Sequence, residues 1–147
     1  MSLREDYFVQ PGQVERWIDA YAQAWRDKDA AAVAALFTAD ASYQAHPTGA
    51  PHQGREAIRA YWARATATQR RLDLRFGQPI VAGSRAAVEW WAVMGDPGWG
   101  PARADDSVTL PGCLVLRFAP GGLCAALREY WNADFGRALA ASPGWGT

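Results

Sequence analysis

The chain has 147 residues, half of them hydrophobic, with 8 Trp and a formal net charge of +0. That length supports one well-buried core and reads as one domain over residues 1–147, while the balanced charge excludes an electrostatic pull toward nucleic acid or anionic lipid. No apolar run reaches membrane-spanning length, and the start, Met1 to Asp6, is too polar for a secretion signal, so no membrane association and a cytoplasmic address are expected.

Pro11-Gly12 opens the first pattern. Val14, Trp17, Ile18, Tyr21 and Trp25 recur at helical spacing with Glu15, Arg16, Asp19 and Arg26 outside the stripe, which predicts a helix. Asp29 suits the cap of a second short helix over Ala30 to Phe37. Ala41 to Ala45 reads as a short strand, followed by a Pro- and Gly-containing loop, residues 46–54, that holds both histidines, His46 and His52. Arg55 to Thr68 reads as a third helix, with Ile58, Tyr61, Trp62 and Ala65 on one face.

The period then changes to two. Leu72, Leu74 and Phe76 alternate with Arg71, Asp73 and Arg75, a half-buried strand, and Pro79 marks a bulge or an unpaired edge. A turn at Gly83-Ser84 leads to a strand over Ala86 to Met94. Gly95 to Asp106, rich in Gly, Pro and Asp, reads as a mobile loop. Ser107 to Ala119 and Leu123 to Asn132 form a hairpin around Pro120-Gly121-Gly122, and Asp134 to Ala141 reads as a helical turn. Helices beside a mainly antiparallel sheet make an α+β domain, in which a strongly curved sheet against three helices encloses a conical, ligand-sized cavity.

One carboxylate stands out. In Leu127-Arg128-Glu129-Tyr130-Trp131, alternation puts Leu127, Glu129 and Trp131 on one face and Arg128 and Tyr130 on the other. A similar acid, Glu89, stands beside Trp91. An acid on an apolar face costs free energy unless it has a partner or a task. Between Trp91 and Trp131 a carboxyl pKa would rise into the range useful for general acid–base chemistry. Both acids are therefore expected in the cavity, while Trp90, Arg117, Arg128 and Tyr130 form an outer face suited to a dimer interface. His46 is an alternate base, and Tyr21 and Tyr43 are hydrogen-bond donors to a ligand oxygen. Each residue has a plainer reading: Glu129 and Glu89 as structural acids held by Arg85 or a tyrosine, His46 as an exposed loop residue, and the aromatics as packing. The two cysteines, Cys113 and Cys124, have neither metal-ligand nor disulfide-framework spacing, and no phosphate loop or nucleophile motif is present. No cofactor and no metal are expected.

The segments Ala24-Trp25 with Asp29, Leu36-Phe37-Thr38-Ala39-Asp40-Ala41, Gly54-Arg55-Glu56-Ala57-Ile58 before Tyr61-Trp62, and Arg128-Glu129-Tyr130-Trp131-Asn132 resemble the NTF2-like superfamily in its SnoaL-like branch. The resemblance implies a cone of three helices on a curved sheet, a pocket on its concave side and a homodimer through its outer face. It implies no single reaction, because the fold hosts isomerases, hydrolases, cyclases, dehydratases and binders. Against ketosteroid isomerases, Tyr21 falls at the oxyanion-donor position and His46 near the base, while Leu114 replaces the late-strand Asp. Against limonene-epoxide hydrolases, Tyr43 and Glu129 match in type, Ala45 replaces the Asn, and Trp91 and Val93 replace an Arg and an Asp.

The sequence thus points to a pocket for a small hydrophobic carbonyl or polyketide-like compound, walled by Trp62, Trp91, Leu114 and Trp131 with Glu89. Glu129, Tyr21, Tyr43 and His46 are the candidates for cofactor-free isomerase, cyclase or hydrolase chemistry. The alternative is a non-catalytic ligand-binding or assembly module.

Overall fold

The computed structural model describes residues 7–147; the polar start, Met1 to Asp6, lies outside them. Helix α1, Pro11–Arg26, begins with proline at its first position, where the missing N–H costs nothing, and the Gln13 side chain accepts the Gln10 N–H at 2.9 Å. Its apolar stripe, Val14, Trp17, Ile18, Tyr21 and Trp25, is buried. Asp29 caps α2, accepting the Ala32 N–H at 3.0 Å.

Helix α2 spans only Ala30–Ala34, and strand β1 takes over at Phe37 and runs to Gln44. The expected helix through Phe37 is cut short by tertiary pairing. The Leu36 carbonyl accepts the Cys124 N–H at 3.0 Å and the Trp17 Nε1–H at 2.9 Å, and Phe37 begins the ladder with Cys124. The loop after β1 contains a two-residue strand, β2, His52–Gln53, paired antiparallel to β1. Helix α3, Arg55–Thr66, ends two residues before the expected point.

The remaining strands are β3, Arg70–Phe76; β4, Ile80–Ala82; β5, Arg85–Gly95; β6, Ser107–Phe118; β7, Cys124–Trp131; and β8, Asp134–Phe135. They pair in the order β2-β1-β7-β6-β5-β3, with β4 on β5 and β8 on β6. Among the described residues only β1 against β7 is parallel. Register shifts in β1, β3 and at the β6–β7 turn end bend the sheet, and α1 and α3 lie against its concave side. Among the described residues no helix is long and apolar enough to cross a membrane.

No helical turn forms over residues 134–141, where Asp134–Phe135 is β8, and residues 136–147 continue without helix or strand. They cross the outer face of the sheet, where Thr109 Oγ1 donates to the Arg137 carbonyl at 2.8 Å and accepts the Leu139 N–H at 2.9 Å. The Trp91 Nε1–H donates to the Leu139 carbonyl at 2.9 Å, and Trp145 packs edge-on to Trp91 beneath the Arg75 guanidinium. The last residues approach so closely that the Gln78 N–H bonds the Gly146 carbonyl at 2.6 Å, and a side chain at Gly77 would collide with Gly146. This cover takes Trp91 on β5 and Thr109 on β6 out of full contact with solvent.

Candidate active site

The concave side of the sheet encloses a cavity of about 620 Å³. Its walls come from α1 (Trp25), α3 (Tyr61, Trp62), the inner faces of β5, β6 and β7 (Trp90, Leu110, Glu129), and the loops after β1 and β5. Aromatic walls of this extent suit an apolar ligand.

Glu129 stands in the wall at 6% exposure. Leu127, Glu129 and Trp131 face inward along β7, while Arg128 and Tyr130 are exposed, as strand alternation requires. Both tyrosine hydroxyls reach one carboxyl oxygen. Tyr43 donates to Glu129 Oε1 at 2.5 Å and Tyr21 donates to the same atom at 3.3 Å, with the two phenol oxygens 3.4 Å apart. Burial pushes the Glu129 pKa up to about 7, against the two phenols, which favour the carboxylate and hold it down. The Tyr21 and Tyr43 hydroxyls are themselves raised well above their ordinary range, first by burial and then by the Glu129 charge, so both remain donors. Tyr61, also facing the cavity, is raised for the same two reasons.

The other expected site residues separate into groups. Tyr43, His46, Trp62 and Trp131 share the cavity wall with Glu129. Tyr21 lies one layer back, fully buried and stacked on Trp17 at 5.0 Å, behind the wall residues Glu129, Tyr43 and Trp62 that it touches. His46 is exposed at the rim, its ring edge-on to Trp131 at 6.5 Å. Trp131 is fixed by its Nε1–H, which donates to the Ala45 carbonyl at 2.6 Å. Leu114 pairs directly across from Glu129, but at 1% exposure it belongs to the core under the sheet rather than to the cavity wall.

Glu89 and Trp91 are on the other face. The register sets Glu129 opposite Leu114 and Leu114 opposite Val88, so the inward row of β5 is Ala86, Val88, Trp90, Ala92 and Met94. Glu89 pairs across from Cys113 and is solvent-exposed, and Trp91 lies under the C-terminal tail. Correspondingly Trp90, expected outside, lines the cavity. Two adjacent tryptophans, each covered on its own side, gave the sequence pattern no means of choosing the face.

Asp96 was missed. It is buried in the cavity wall, its Oδ1 accepting from Thr68 Oγ1 at 2.6 Å and from the Gly98 N–H at 3.0 Å. It lies in the Gly- and Pro-rich segment after β5, where no periodicity marks a face. That segment is tied down by Arg103, which donates to the carbonyls of Trp99, Pro101 and Asp106, and by Asp106, which holds Arg70 and Arg71. Trp99, on the same segment, packs on Trp131 at 5.4 Å beside the cavity. Among the described residues no three His, Cys, Asp or Glu side chains come together as a metal-binding set.

The SnoaL-like domain family matches residues 14–135. Among curated protein sequences none matches the chain. Of the solved structures it resembles, a hypothetical protein from Catenulispora acidiphila with a ketosteroid isomerase-like fold, crystallised in complex with trimethylamine, is 25% identical with a TM-score of 0.66, over 78% of this chain and 83% of that one. SalBIII, an epoxide hydrolase/cyclase-like enzyme of pyran ring formation in salinomycin, is 19% identical with a TM-score of 0.65, over 81% of this chain and 92% of its own. A protein from Mycobacterium tuberculosis is 18% identical with a TM-score of 0.71, over 87% and 99%.

Proposed function

Because the chain belongs to the SnoaL-like domain family, whose fold carries many chemistries, we propose that it is a cofactor-free acid–base catalyst acting on a small hydrophobic carbonyl or polyketide-like compound. The observation that carries this reading is the buried Glu129 with both tyrosine hydroxyls on one oxygen. Oε1 is thereby occupied, and Oε2 is the oxygen left for a ligand. A carboxyl with a pKa of about 7 is divided between its two forms at neutral pH, the condition for a group that both takes and returns a proton.

In this reaction the Glu129 carboxylate removes a proton from the carbon beside a ligand carbonyl. The electron pair passes to the carbonyl oxygen as an enolate, and the proton returns to carbon from Glu129. Tyr43 and Tyr21 are positioning residues: they fix the carboxylate and stabilise its charge, and their hydroxyl hydrogens are engaged there rather than offered to the ligand. His46 at the rim is the alternate base. A second copy on the outer face of the sheet, around Arg117, Arg128 and the 44%-exposed Tyr130, belongs to the same reading.

The test needs no knowledge of the natural substrate. Deuterium exchange at the carbon beside the carbonyl of 1-tetralone in D2O, followed by proton NMR, reports proton removal directly. The wild-type protein is expected to accelerate exchange with a rate that rises with pH and levels off above about 7, and Glu129→Gln to abolish the acceleration. Equal rates for the two proteins would overturn the proposal. A binding role without catalysis is the second reading. It is favoured by the Catenulispora acidiphila neighbour, crystallised with trimethylamine, and by an aromatic wall suited to either kind of ligand.

A further inference from the structure

Among the described residues two acids are buried, Glu129 and Asp96. The acid–base reading uses only the first. Asp96 is 3% exposed and stands in the cavity wall, yet takes no part in that chemistry. A carboxylate buried in this way is costly without a counter-charge or a full set of donors.

The sheet sets its direction. The inward row of β5 runs through Trp90, Ala92 and Met94, and Asp96 is the next position in that row. The ladder with β6 places Met94 opposite Val108 and Gly95 opposite Ser107, and the Asp96 N–H continues it by donating to the Asp106 carbonyl at 2.9 Å. Alternation therefore turns the Asp96 carboxylate to the concave side. Oδ1 is held there by Thr68 Oγ1 and the Gly98 N–H. Oδ2 has no hydrogen-bond partner among the described residues. The unpartnered side-chain atoms sealed from solvent lie on Tyr7, Trp62, Trp90 and Arg103; Asp96 Oδ2 is not one of them, so it is open to the cavity.

No described cation answers this charge. Arg70 and Arg71 pair with Asp106, and Arg137 with Asp134. Arg103, close by on the same segment, gives its hydrogens to carbonyls, the Asp96 carbonyl among them at 3.3 Å, and none to the carboxylate. Arg64, His46 and His52 line the cavity without forming an ion pair with Asp96. The same cavity is walled by Trp90, Trp99 and Trp131, whose ring faces attract cations. Asp96 is also remote from Glu129. The register puts Glu129 in one row with Leu114 and Val88, and Asp96 follows Val88 by about 26 Å of strand contour.

We infer that Asp96 anchors a second subsite, at the other end of the cavity from Glu129, that takes a protonated amine on an otherwise apolar ligand. The ammonium gives Oδ2 both a hydrogen bond and an opposite charge, where a hydroxyl gives only the bond. This goes beyond the acid–base reading: it shares the cavity with it and does not need Glu129 to act as a base.

The test is calorimetric titration at neutral pH with a matched pair, 2-aminotetralin, which is protonated there, and 2-tetralol, which carries a hydroxyl on the same carbon. The wild-type protein is expected to bind the amine about tenfold more tightly than the alcohol, the difference between a charge-assisted bond and a neutral one. Asp96→Asn keeps an acceptor for Thr68 and Gly98 and removes the charge. It should weaken the amine about tenfold and change the alcohol far less. Glu129→Gln should keep the preference. One readout needs no variant: in the wild-type complex, nuclear Overhauser effects are expected between the probe's C2 proton and the Thr68 methyl group.

Equal affinity for the two probes, a preference that survives Asp96→Asn, a preference lost in Glu129→Gln alone, no contact with the Thr68 methyl, or failure of 2-aminotetralin to bind at millimolar concentration would each overturn the inference. The two claims fail separately. A preference that depends on Asp96, in a protein that does not accelerate 1-tetralone exchange, upholds the amine subsite and sinks the acid–base reading alone. Catalysed exchange without the preference does the reverse.

Discussion

Replacing Glu129 by Gln removes a buried titration and with it a pH-dependent part of the stability. Folding raises this carboxyl from 4.5 to about 7, so between those pH values the folded protein binds more protons than the unfolded chain. Stability is fully present below the unfolded value, falls by about 1.4 kcal/mol per pH unit across the window, and is lost above the folded value. The total is about 3 kcal/mol, or about 10 °C in Tm for a chain of this size. Gln keeps the shape and an acceptor oxygen for Tyr43 but has no proton to lose.

The measurement is urea unfolding of both proteins at half-unit steps from pH 4 to 8. The difference in stability, wild type minus variant, is expected to fall by about 3 kcal/mol with rising pH, most of it between pH 5 and 7. Asp105, Asp106 and Asp134 have lowered pKa values, held down by hydrogen bonds from Ser107 and from Arg70 and Arg137 respectively, so their contribution is lost as pH falls. The His52 pKa is lowered, chiefly by burial. These groups are common to both proteins and cancel in the difference. A difference that is flat with pH, or that grows, would refute the burial argument.

Other outcomes follow from the same geometry. Tyr43→Phe removes the shorter of the two hydrogen bonds to Glu129 Oε1, which favours the carboxylate, so the Glu129 pKa should rise above its wild-type value; carboxyl carbon-13 shifts read it. Gly112→Ala forces a methyl against the Trp90 indole and should cost about 1–3 kcal/mol in urea unfolding. Asp96→Ala removes the acceptor for Thr68 Oγ1 and the Gly98 N–H, and should speed amide hydrogen exchange over residues 96–100 while leaving β6 and β7 protected. Tyr130→Asp, placed on the outer face, should turn a dimer into a monomer in sedimentation if a second copy sits there.

How far the sequence carried depends on what each residue reports. The apolar stripe of α1 and the alternation of β7 are one-sided patterns, so period alone fixed which residues go inward. Glu129 was legible because its neighbours on the same face, Leu127 and Trp131, are apolar and those on the other, Arg128 and Tyr130, are not. Strand β5 carries apolar residues on both faces, and the C-terminal tail covers Trp91 on the outer one. With Trp90 and Trp91 adjacent, only the pairing of Leu114 between Val88 and Glu129 decides that Trp90 faces the cavity and Glu89 faces water. The tail itself read as a helical turn because its docking, through Trp145 on Trp91 and Gly146 on Gly77, is wholly non-local. Asp96 was invisible because irregular backbone has no period.

The most direct measurement is the ionisation of Glu129 in the unliganded protein, by carbon-13 NMR of glutamate carboxyls with Glu129→Gln supplying the assignment. A buried, tyrosine-bound Glu129 gives a midpoint near pH 7 for that one signal. A midpoint at the ordinary value near 4.5 would mean that water reaches the carboxyl freely, and the buried acid–base site would not exist.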